Sequence, residues 1–191
     1  MKLHIYLFRH GQTYFNRDKR CTGWLDSKLT PQGINDAKKI AQKLEKKKID
    51  VAFQTRLSRS KDTLKEVLKY HPECKTIIVN DKMIERSYGK FEGIYHKTII
   101  AKYGKERFDK WHRAYDYPPP GGESVKMVEK RVLSFIKELI PFMKKNKVNV
   151  AISAHGNSMR PFRRYFEHLT IEQMGKIENP WDDYFDYTVD V

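Results

Sequence analysis

Two histidines stand in matching local settings, which suggests that they act together. Arg9-His10-Gly11 follows the apolar run Lys2–Phe8, and His155-Gly156-Asn157 closely follows the apolar run Val148–Ser153. Both runs have the composition of buried strands, so each histidine stands near the carboxyl end of a strand. A neutral imidazole can attack phosphorus when fixed cations offset the charge on the phosphoryl oxygens. The pattern therefore indicates phosphoryl transfer.

Two other interpretations of these histidines carry less weight. A lone histidine in a turn is commonly a structural polar residue, but two in matched settings, one of them beside Arg9, favour chemistry. A metal site would require a ligand spacing such as His-Glu-x-x-His, or carboxylates beside the rings, and the sequence shows neither. We therefore expect no metal.

The elements that must position the histidines alternate between strand and helix patterns. This alternation predicts an α/β fold of three layers, α/β/α, in which helices flank a mainly parallel sheet. In such sheets a ligand lies beyond the carboxyl ends of the strands, so neighbouring strands would bring His10 and His155 together. We predict strands at Lys2–Phe8, Asp50–Phe53, Thr76–Val79, Val148–Ser153 and Phe185–Val189, and helices from Thr30-Pro31, over Leu57–Tyr70, over Ser124–Lys145 and from Ser158.

The region between Asp81 and Gly122 has a looser pattern of short helices and turns. We interpret residues 81–122 as a small helical insertion lobe over the active site, within a single domain that spans residues 1–191. The apolar stretches are too short for a membrane span, so we expect no membrane partner. Cys21 and Cys74 form no metal or redox spacing, which favours a reducing, cytoplasmic location.

The formal net charge of +14 has three interpretations. Lysine-rich helix faces such as residues 38–48 would supply most of it to solvent. A nucleic-acid partner is not expected, because the lysines are scattered and no recognition motif accompanies them. The third interpretation is attraction of a multiply anionic small substrate, which requires arginines to gather around a site.

Further motifs connect the two histidine patterns along nearly the whole chain. They are CTGWLDSKLTPQG (residues 21–33), ERSYGKFEG (residues 85–93) with Lys97 beyond it, WHRAYDYPPPGGES (residues 111–124) and AHGNSMR (residues 154–160). With these motifs the sequence resembles the histidine phosphatase superfamily, and within it the cofactor-dependent phosphoglycerate mutase branch. The resemblance implies an enzyme of glycolysis that moves phosphate between the 3- and 2-positions of phosphoglycerate. It also implies a phosphohistidine intermediate and 2,3-bisphosphoglycerate as primer.

The resemblance also implies roles for individual residues. His10 would be the nucleophile, and Glu85 would act as general acid and base on the substrate hydroxyl. The groups around the transferring phosphoryl group would be Arg9, Asn16, Arg59, His155, Gly156 and Asn157. The groups that bind the substrate's carboxylate and second phosphate would be Thr22, Gly23, Tyr88, Lys97 and Arg113.

Several departures from the mutase pattern keep other functions open. His112-Arg113 stands where the branch has two arginines, and Asn179–Asp183 replaces its usual turn near the end. The missing arginine, together with the short C-terminus, favours the alternative of a phosphatase, in which water attacks the phosphohistidine. A distant alternative is a non-catalytic sensor of a phosphorylated ligand. In each case the partner is a small phosphorylated metabolite, and the chain is a monomer or a homodimer.

Overall fold

A five-stranded sheet forms the centre of the molecule, and the computed structural model describes all of residues 1–191. The strands are β1 (Lys2–Arg9), β2 (Val51–Gln54), β3 (Thr76–Val79), β4 (Val150–Ala154) and β5 (Tyr184–Asp190). Their order is β3-β2-β4-β1-β5; the first four are parallel, and β5 runs antiparallel to β1. In the β1–β4 pair, Phe8 lies opposite Ser153 and Arg9 opposite Ala154. The two histidine-bearing strands are therefore parallel neighbours.

Helices cover both faces of the sheet. The helices are α1 (Tyr14–Arg17), α2 (Pro31–Leu44), α3 (Ser58–Leu68), α4 (His96–Tyr103), α5 (Lys105–Arg113), α6 (Val125–Asn146), α7 (Gly156–Glu167) and α8 (Ile171–Lys176). Helices α6 and α7 pack through Phe135 and Phe162 against Ile5 and Leu7 of β1. Helices α2 and α3 pack on the other face, which confirms the predicted three-layer α/β fold. None of the helices combines the length and apolar character that a membrane span needs.

Local capping explains where three helices begin. Thr30 caps α2 by accepting a hydrogen bond from Gly33 N, with Pro31 at the first helical position, as predicted. Ser124 caps α6 in the same way. Helix α7 begins at Gly156, not at Ser158 as predicted, because His155 is its N-cap residue and its backbone N–H donates to Ser158 Oγ. The first free N–H groups of α7 therefore lie directly beside His155.

Residues 81–122 contain two short 3₁₀ turns, Asp81–Met83 and Gly89–Phe91, followed by α4 and α5. These elements enclose a small apolar cluster of their own, in which Phe91 packs on Trp111 with ring centroids 4.7 Å apart. Because this cluster is separate from the two that cover the sheet, the region forms a lobe with its own packing. The lobe supplies one wall of the cavity described below.

Candidate active site

The carboxyl ends of β1 and β4 bring His10 and His155 into contact. The backbone N–H of His10 donates to the Ala154 carbonyl over 3.1 Å, which continues the pairing of the two strands past their ends. The two imidazole rings then lie with their centroids 5.0 Å apart and their planes tilted by 58°. The contact depends on the parallel order of β1 and β4, since the two residues are distant in the chain.

The environment of His10 favours a neutral ring with one free nitrogen. Its Nδ1 lies 2.7 Å from the Gly11 carbonyl, which can only accept, so Nδ1 carries the proton and Nε2 keeps its lone pair. Burial lowers the pKa of His10 well below its usual value, and the charges of Arg59 and Arg9 lower it further. The imidazole is therefore fixed in the form that can act as a nucleophile.

His155 is fixed by a buried hydroxyl that sequence reasoning missed. Its Nε2 lies 2.8 Å from Thr55 Oγ1, and its Nδ1 is buried without a hydrogen-bond partner in the protein. Burial lowers the pKa of His155 as well, with a further contribution from Arg59. Thr55 follows β2 directly, so the general expectation that site residues follow strand ends was the only signal that could have found it.

Two arginines lie beside the histidine pair with unused donors. Arg59 is fully buried and donates to the carbonyls of Leu25 (2.9 Å) and Gly23 (2.7 Å). Arg9 makes only a 3.3 Å bond to the Asn179 carbonyl, and burial lowers its pKa to about 10. In both side chains Nε has no partner. A guanidinium presents its N–H groups in one plane, which suits an oxyanion ligand.

Glu85 reaches the histidines from the lobe. Its Oε1 accepts hydrogen bonds from the backbone N–H groups of Arg86 (2.7 Å) and Asn157 (3.2 Å). Ligand atoms of His10, Glu85 and His155 all lie within 4.8 Å of one another. The fold therefore brings the carboxylate of Glu85 beside the two rings from a distant segment.

The same three groups could ligate a transition metal by their chemistry. However, the positive charges of Arg9 and Arg59 act on both histidines, and they would repel a further cation. We therefore keep the expectation that no metal is required.

Arg86, which could have been half of a surface ion pair with Glu85, is fully buried instead. Its guanidinium donates to the carbonyls of Glu123 (2.7 Å), His112 (3.3 Å) and Trp111. It joins α5 to the segment before α6 and so holds the lobe over the sheet. The role of Arg86 is thus in the packing of the lobe, not in charge at the surface.

A cavity of about 210 Å³ opens beside the two histidines and Glu85, and its walls come from four parts of the chain. The wall residues that sequence reasoning singled out as site residues are Arg9, Asn16, Thr22, Gly23, Glu85, Tyr88, Arg113, Gly156 and Asn157. The other wall residues are Arg20, Cys21, His96, His112, Arg160, Glu178 and Asn179. The buried side chains of His10, Arg59 and His155 belong to the same group, through the contacts given above.

Lys97 is the one proposed substrate-binding residue that the structure leaves outside the cavity wall. It lies at the exposed start of α4, with its Nζ 5.4 Å from the centroid of the Tyr95 ring. The implied role of Lys97 in substrate binding therefore stays a prediction.

Some of the missed residues had a signal in the sequence. Arg160 stands four residues after Gly156 on α7, so the two share a helix face. Arg20 directly precedes the Cys21-Thr22-Gly23 motif. Glu178 and Asn179 lie in the loop after α8, where no local pattern marks them. The cavity wall contains four arginines. This is the clustering that the third interpretation of the net charge, attraction of an anionic substrate, requires.

His112 lies in the cavity wall but brings no charge to it. It packs against Phe108 and Tyr88, with ring centroids 4.4 and 5.3 Å away. Burial lowers the pKa of His112 to about 3, and the neighbouring His96 and Arg86 act in the same direction. At neutral pH it is therefore an uncharged ring in the place where the mutase pattern has an arginine.

The segment Asn179–Asp183 covers His10. The guanidinium of Arg9 stacks on Trp181 with its central carbon 3.4 Å from the ring centroid, and the His10 ring meets the same indole edge-on at 5.8 Å. Asn179 Nδ2 donates to the Gly156 carbonyl over 2.9 Å and so ties the segment to α7. Trp181 thus shields His10 and Arg9 from solvent on this side.

Gly11 is required by packing and not by approach of a ligand. A Cβ atom at Gly11 would lie 2.0 Å from the Gly33 carbonyl oxygen at the start of α2. The backbones of Gly11 and Gly33 are therefore in direct contact. This contact places β1 directly against the N-terminus of α2.

Comparison with known proteins places this fold and site in a family. Residues 5–184 match the model of the histidine phosphatase superfamily, branch 1. The chain therefore belongs to the histidine phosphatase superfamily. This confirms the resemblance found in the sequence.

Relatives within the family carry a more particular name. A 2,3-bisphosphoglycerate-dependent phosphoglycerate mutase of Parvibaculum lavamentivorans is 39% identical over 174 residues, which cover 89% of this chain and 82% of the relative. One of the same name from a Bradyrhizobium species is 38% identical and is covered to 86%, with 91% of this chain matched.

Solved structures with the same fold include phosphatases. A mycobacterial glucosyl-3-phosphoglycerate phosphatase matches with a TM-score of 0.84 and 22% identity, over 98% of this chain and 91% of that one. A putative alpha-ribazole-5'-P phosphatase of Escherichia coli matches with a TM-score of 0.83 and 20% identity, over 96% and 89% of the two chains. At this identity the likeness concerns the fold alone.

Proposed function

We propose that the protein is a phosphoglycerate mutase that interconverts 3-phosphoglycerate and 2-phosphoglycerate through a phosphohistidine at His10. The observation that carries the proposal is a single cavity with cations for more than one anionic group. Arg9 and the buried Arg59 lie near the neutral His10, and Arg113 is a further cation in the cavity wall. A substrate with a phosphate and a second anionic group fits such a cavity. The names of the relatives at 38–39% identity point the same way.

The primer fits the same residues, because it carries two phosphates and one carboxylate. Arg9, Arg59 and His155 would bind the phosphate that is transferred, and Thr22, Gly23 and Arg113 the other anionic groups. When bound, 2,3-bisphosphoglycerate supplies the phosphoryl group that loads His10. The partially unpartnered guanidinium groups and His155 Nδ1 are the donors that remain for these oxygens.

In the proposed reaction the lone pair of His10 Nε2 forms a bond to phosphorus while the phosphate ester bond breaks. The hydrogen bond from Nδ1 to the Gly11 carbonyl orients the ring and stabilises the positive charge that develops on it. The arginines, with the Nδ1–H of His155, offset the charge on the phosphoryl oxygens. Thr55 would donate to His155 Nε2, which places the proton of that ring on Nδ1.

Glu85 would manage the proton of the substrate hydroxyl. As the ester bond breaks, its carboxyl group gives a proton to the departing oxygen. As the other hydroxyl attacks the phosphohistidine, the Glu85 carboxylate accepts that hydroxyl's proton, and the electron pair of the N–P bond returns to His10 Nε2. The carbonyl of Glu85 accepts bonds from Trp24 Nε1 (2.8 Å) and Arg131 (3.0 Å), which fix its backbone for this exchange.

The test is incubation of the protein with 3-phosphoglycerate, with and without the bisphosphate primer, while 2-phosphoglycerate and free phosphate are both measured. We expect primer-dependent formation of 2-phosphoglycerate with little free phosphate. Release of phosphate without isomerisation would refute the mutase proposal.

The mechanism has its own test in a His10→Ala variant. We expect this variant to lose isomerisation and the acid-labile, base-stable label that wild type takes up from labelled primer. A His10→Ala variant with full activity would sink the mechanism itself. Tyr70→Ala, which removes an exposed aromatic side chain remote from the cavity, is the matched control.

A phosphatase is the second candidate, and the neutral His112 is the observation that favours it. With one fewer cation for the second anionic group, an alcohol product would leave sooner, and water would then attack the phosphohistidine. The incubation above separates the two candidates, because hydrolysis alone consumes the ester without producing its isomer.

We further infer a cytoplasmic location and a small phosphorylated metabolite as the only ligand class. Cys21 and Cys74 are both free thiols. Free thiols are typical of reducing compartments such as the cytoplasm.

A further inference from the structure

Arg160 is a guanidinium in the cavity wall without a hydrogen-bonded role in the protein. It stands on α7, one turn after Gly156, and its side chain is 15% exposed. Its Nε is buried and has no hydrogen-bond partner. Its one counter-ion is Glu178, at 3.8 Å, whose side chain is 76% exposed. A largely buried arginine held by one long, solvent-accessible ion pair has donors to spare for a ligand.

The neighbours of Arg160 show that it belongs to a group of cations. Arg113 and Arg160 line the same cavity, and both also line a second cavity of about 530 Å³. Burial lowers the pKa of Arg160, and the charge of Arg113 contributes in the same direction. Two guanidinium groups that repel each other in the absence of ligand are both stabilised by an anion between them.

His112 cannot take part in such a pair. Its ring packs against Phe108 and Tyr88 and is uncharged at neutral pH. The mutase pattern has adjacent arginines at the positions of His112 and Arg113, so one cation is missing from α5. Arg160, the last residue of the AHGNSMR motif, brings a further cation to the cavity wall from α7.

We propose that Arg160 and Arg113 together bind the anionic group of the substrate that is not transferred, a carboxylate or a second phosphate. Glu178 is the counter-ion of Arg160 before the substrate binds, and the substrate displaces it. The identity of the substrate in this inference rests on the proposed function. The inference itself assigns the residues that recognise the second anionic group of a ligand.

The test compares two ligands in calorimetric titrations of the wild type and an Arg160→Gln variant. The first ligand is 3-phosphoglycerate, with a phosphate and a carboxylate, and the second is ethyl phosphate, with a phosphate alone. We expect the variant to bind 3-phosphoglycerate about tenfold or more weakly, as for loss of a hydrogen-bonded charged partner. Its affinity for ethyl phosphate should change by less than about threefold.

Two further variants separate recognition from general charge and from folding. Arg107→Gln removes an equal charge from an exposed position of α5 and should leave both affinities near those of the wild type. Glu178→Gln removes the competing carboxylate and should bind 3-phosphoglycerate more tightly, by about threefold at the level of one exposed ion pair. Because it keeps Arg160, this variant tests the proposal even if Arg160→Gln does not fold.

Equal weakening of both ligands by Arg160→Gln, or no weakening of either, would overturn the proposal. Weaker binding of 3-phosphoglycerate by Glu178→Gln would overturn it as well. This outcome is distinct from that of the activity test. If the protein releases phosphate from 3-phosphoglycerate without isomerising the substrate, the proposed function fails, but the preference between the two ligands can still be measured.

Discussion

The stability of this protein should fall steeply between pH 7.5 and pH 5.5, because the fold favours the neutral form of three histidines. Burial lowers the pKa of His10 and of His155 well below the usual value, and that of His112 to about 3. In the unfolded chain the same side chains titrate near pH 6.5. The unfolded state therefore binds more protons at acid pH, and the free energy of unfolding decreases as the pH falls through 6.5.

The size of the effect follows from this difference. At pH 5.5, one unit below the pKa in the unfolded chain, each histidine that stays neutral in the fold destabilises it by about 1.4 kcal/mol relative to high pH. The three together should cost about 4 kcal/mol, a large part of the 5–15 kcal/mol roughly typical of a domain. At pH 7.5 the effect is close to zero, so the comparison has a clear reference.

The assay is urea unfolding at pH 7.5, 6.5 and 5.5, in buffers without phosphate, since a ligand of the folded state would mask the change. A His112→Gln variant should lose about a third of the pH dependence. His168→Asn, at an exposed position in the left-handed region of backbone space, should keep all of it. An unfolding free energy that is the same at pH 7.5 and 5.5 would refute the argument that these rings are held neutral.

Three further predictions concern single contacts. Trp181→Ala should lower kcat/KM for isomerisation about tenfold or more and raise the share of phosphate released to water, because Arg9 loses a desolvated stacking partner. Trp181→Phe should have a smaller effect. An unchanged ratio of isomer to free phosphate in the alanine variant would contradict the shielding role. Thr55→Val should lower kcat about tenfold with little change in KM, with recovery in Thr55→Ser, since the hydroxyl orients His155; equal loss in both variants would indicate a packing role only. Gly11→Ala should lower the free energy of unfolding by about 3 kcal/mol, as its Cβ would strike a backbone oxygen, whereas Gly175→Ala, with open space around it, should raise it by up to about 1 kcal/mol; urea titrations that rank the two variants in the other order would contradict this.

The alternation of strand and helix patterns was enough to predict the layers of the fold, because burial on one face or both leaves a periodic record in the sequence. The ends of elements were less determined. The start of α7 at Gly156 depends on a hydrogen bond from the backbone of His155 to the Ser158 hydroxyl, and this bond has no periodic signature. The two-residue difference decides which backbone N–H groups stand beside His155.

The site divides in the same way. His10 and His155 could be named from the sequence, because each follows a strand and strand ends meet in a parallel sheet. The resemblance implied a role for Glu85 at the site, but no local pattern gives its position beside the histidines, since the lobe is joined to the sheet by buried contacts such as those of Arg86 with distant carbonyl groups. Lys97 lies outside the cavity wall, so its implied role in substrate binding stays a prediction.

By itself, the sequence determined the family and the layered fold and predicted His10 as the nucleophile, because these depend on residue type and on local periodicity. Only the tertiary structure decided the charge of the second anion site. His112 stands where the mutase pattern has an arginine, but the aromatic rings around it keep its imidazole neutral. Arg160 lines the same cavity from another helix. Charge in a buried site depends on which neighbours exclude water, and those neighbours come from segments that are far apart in the chain.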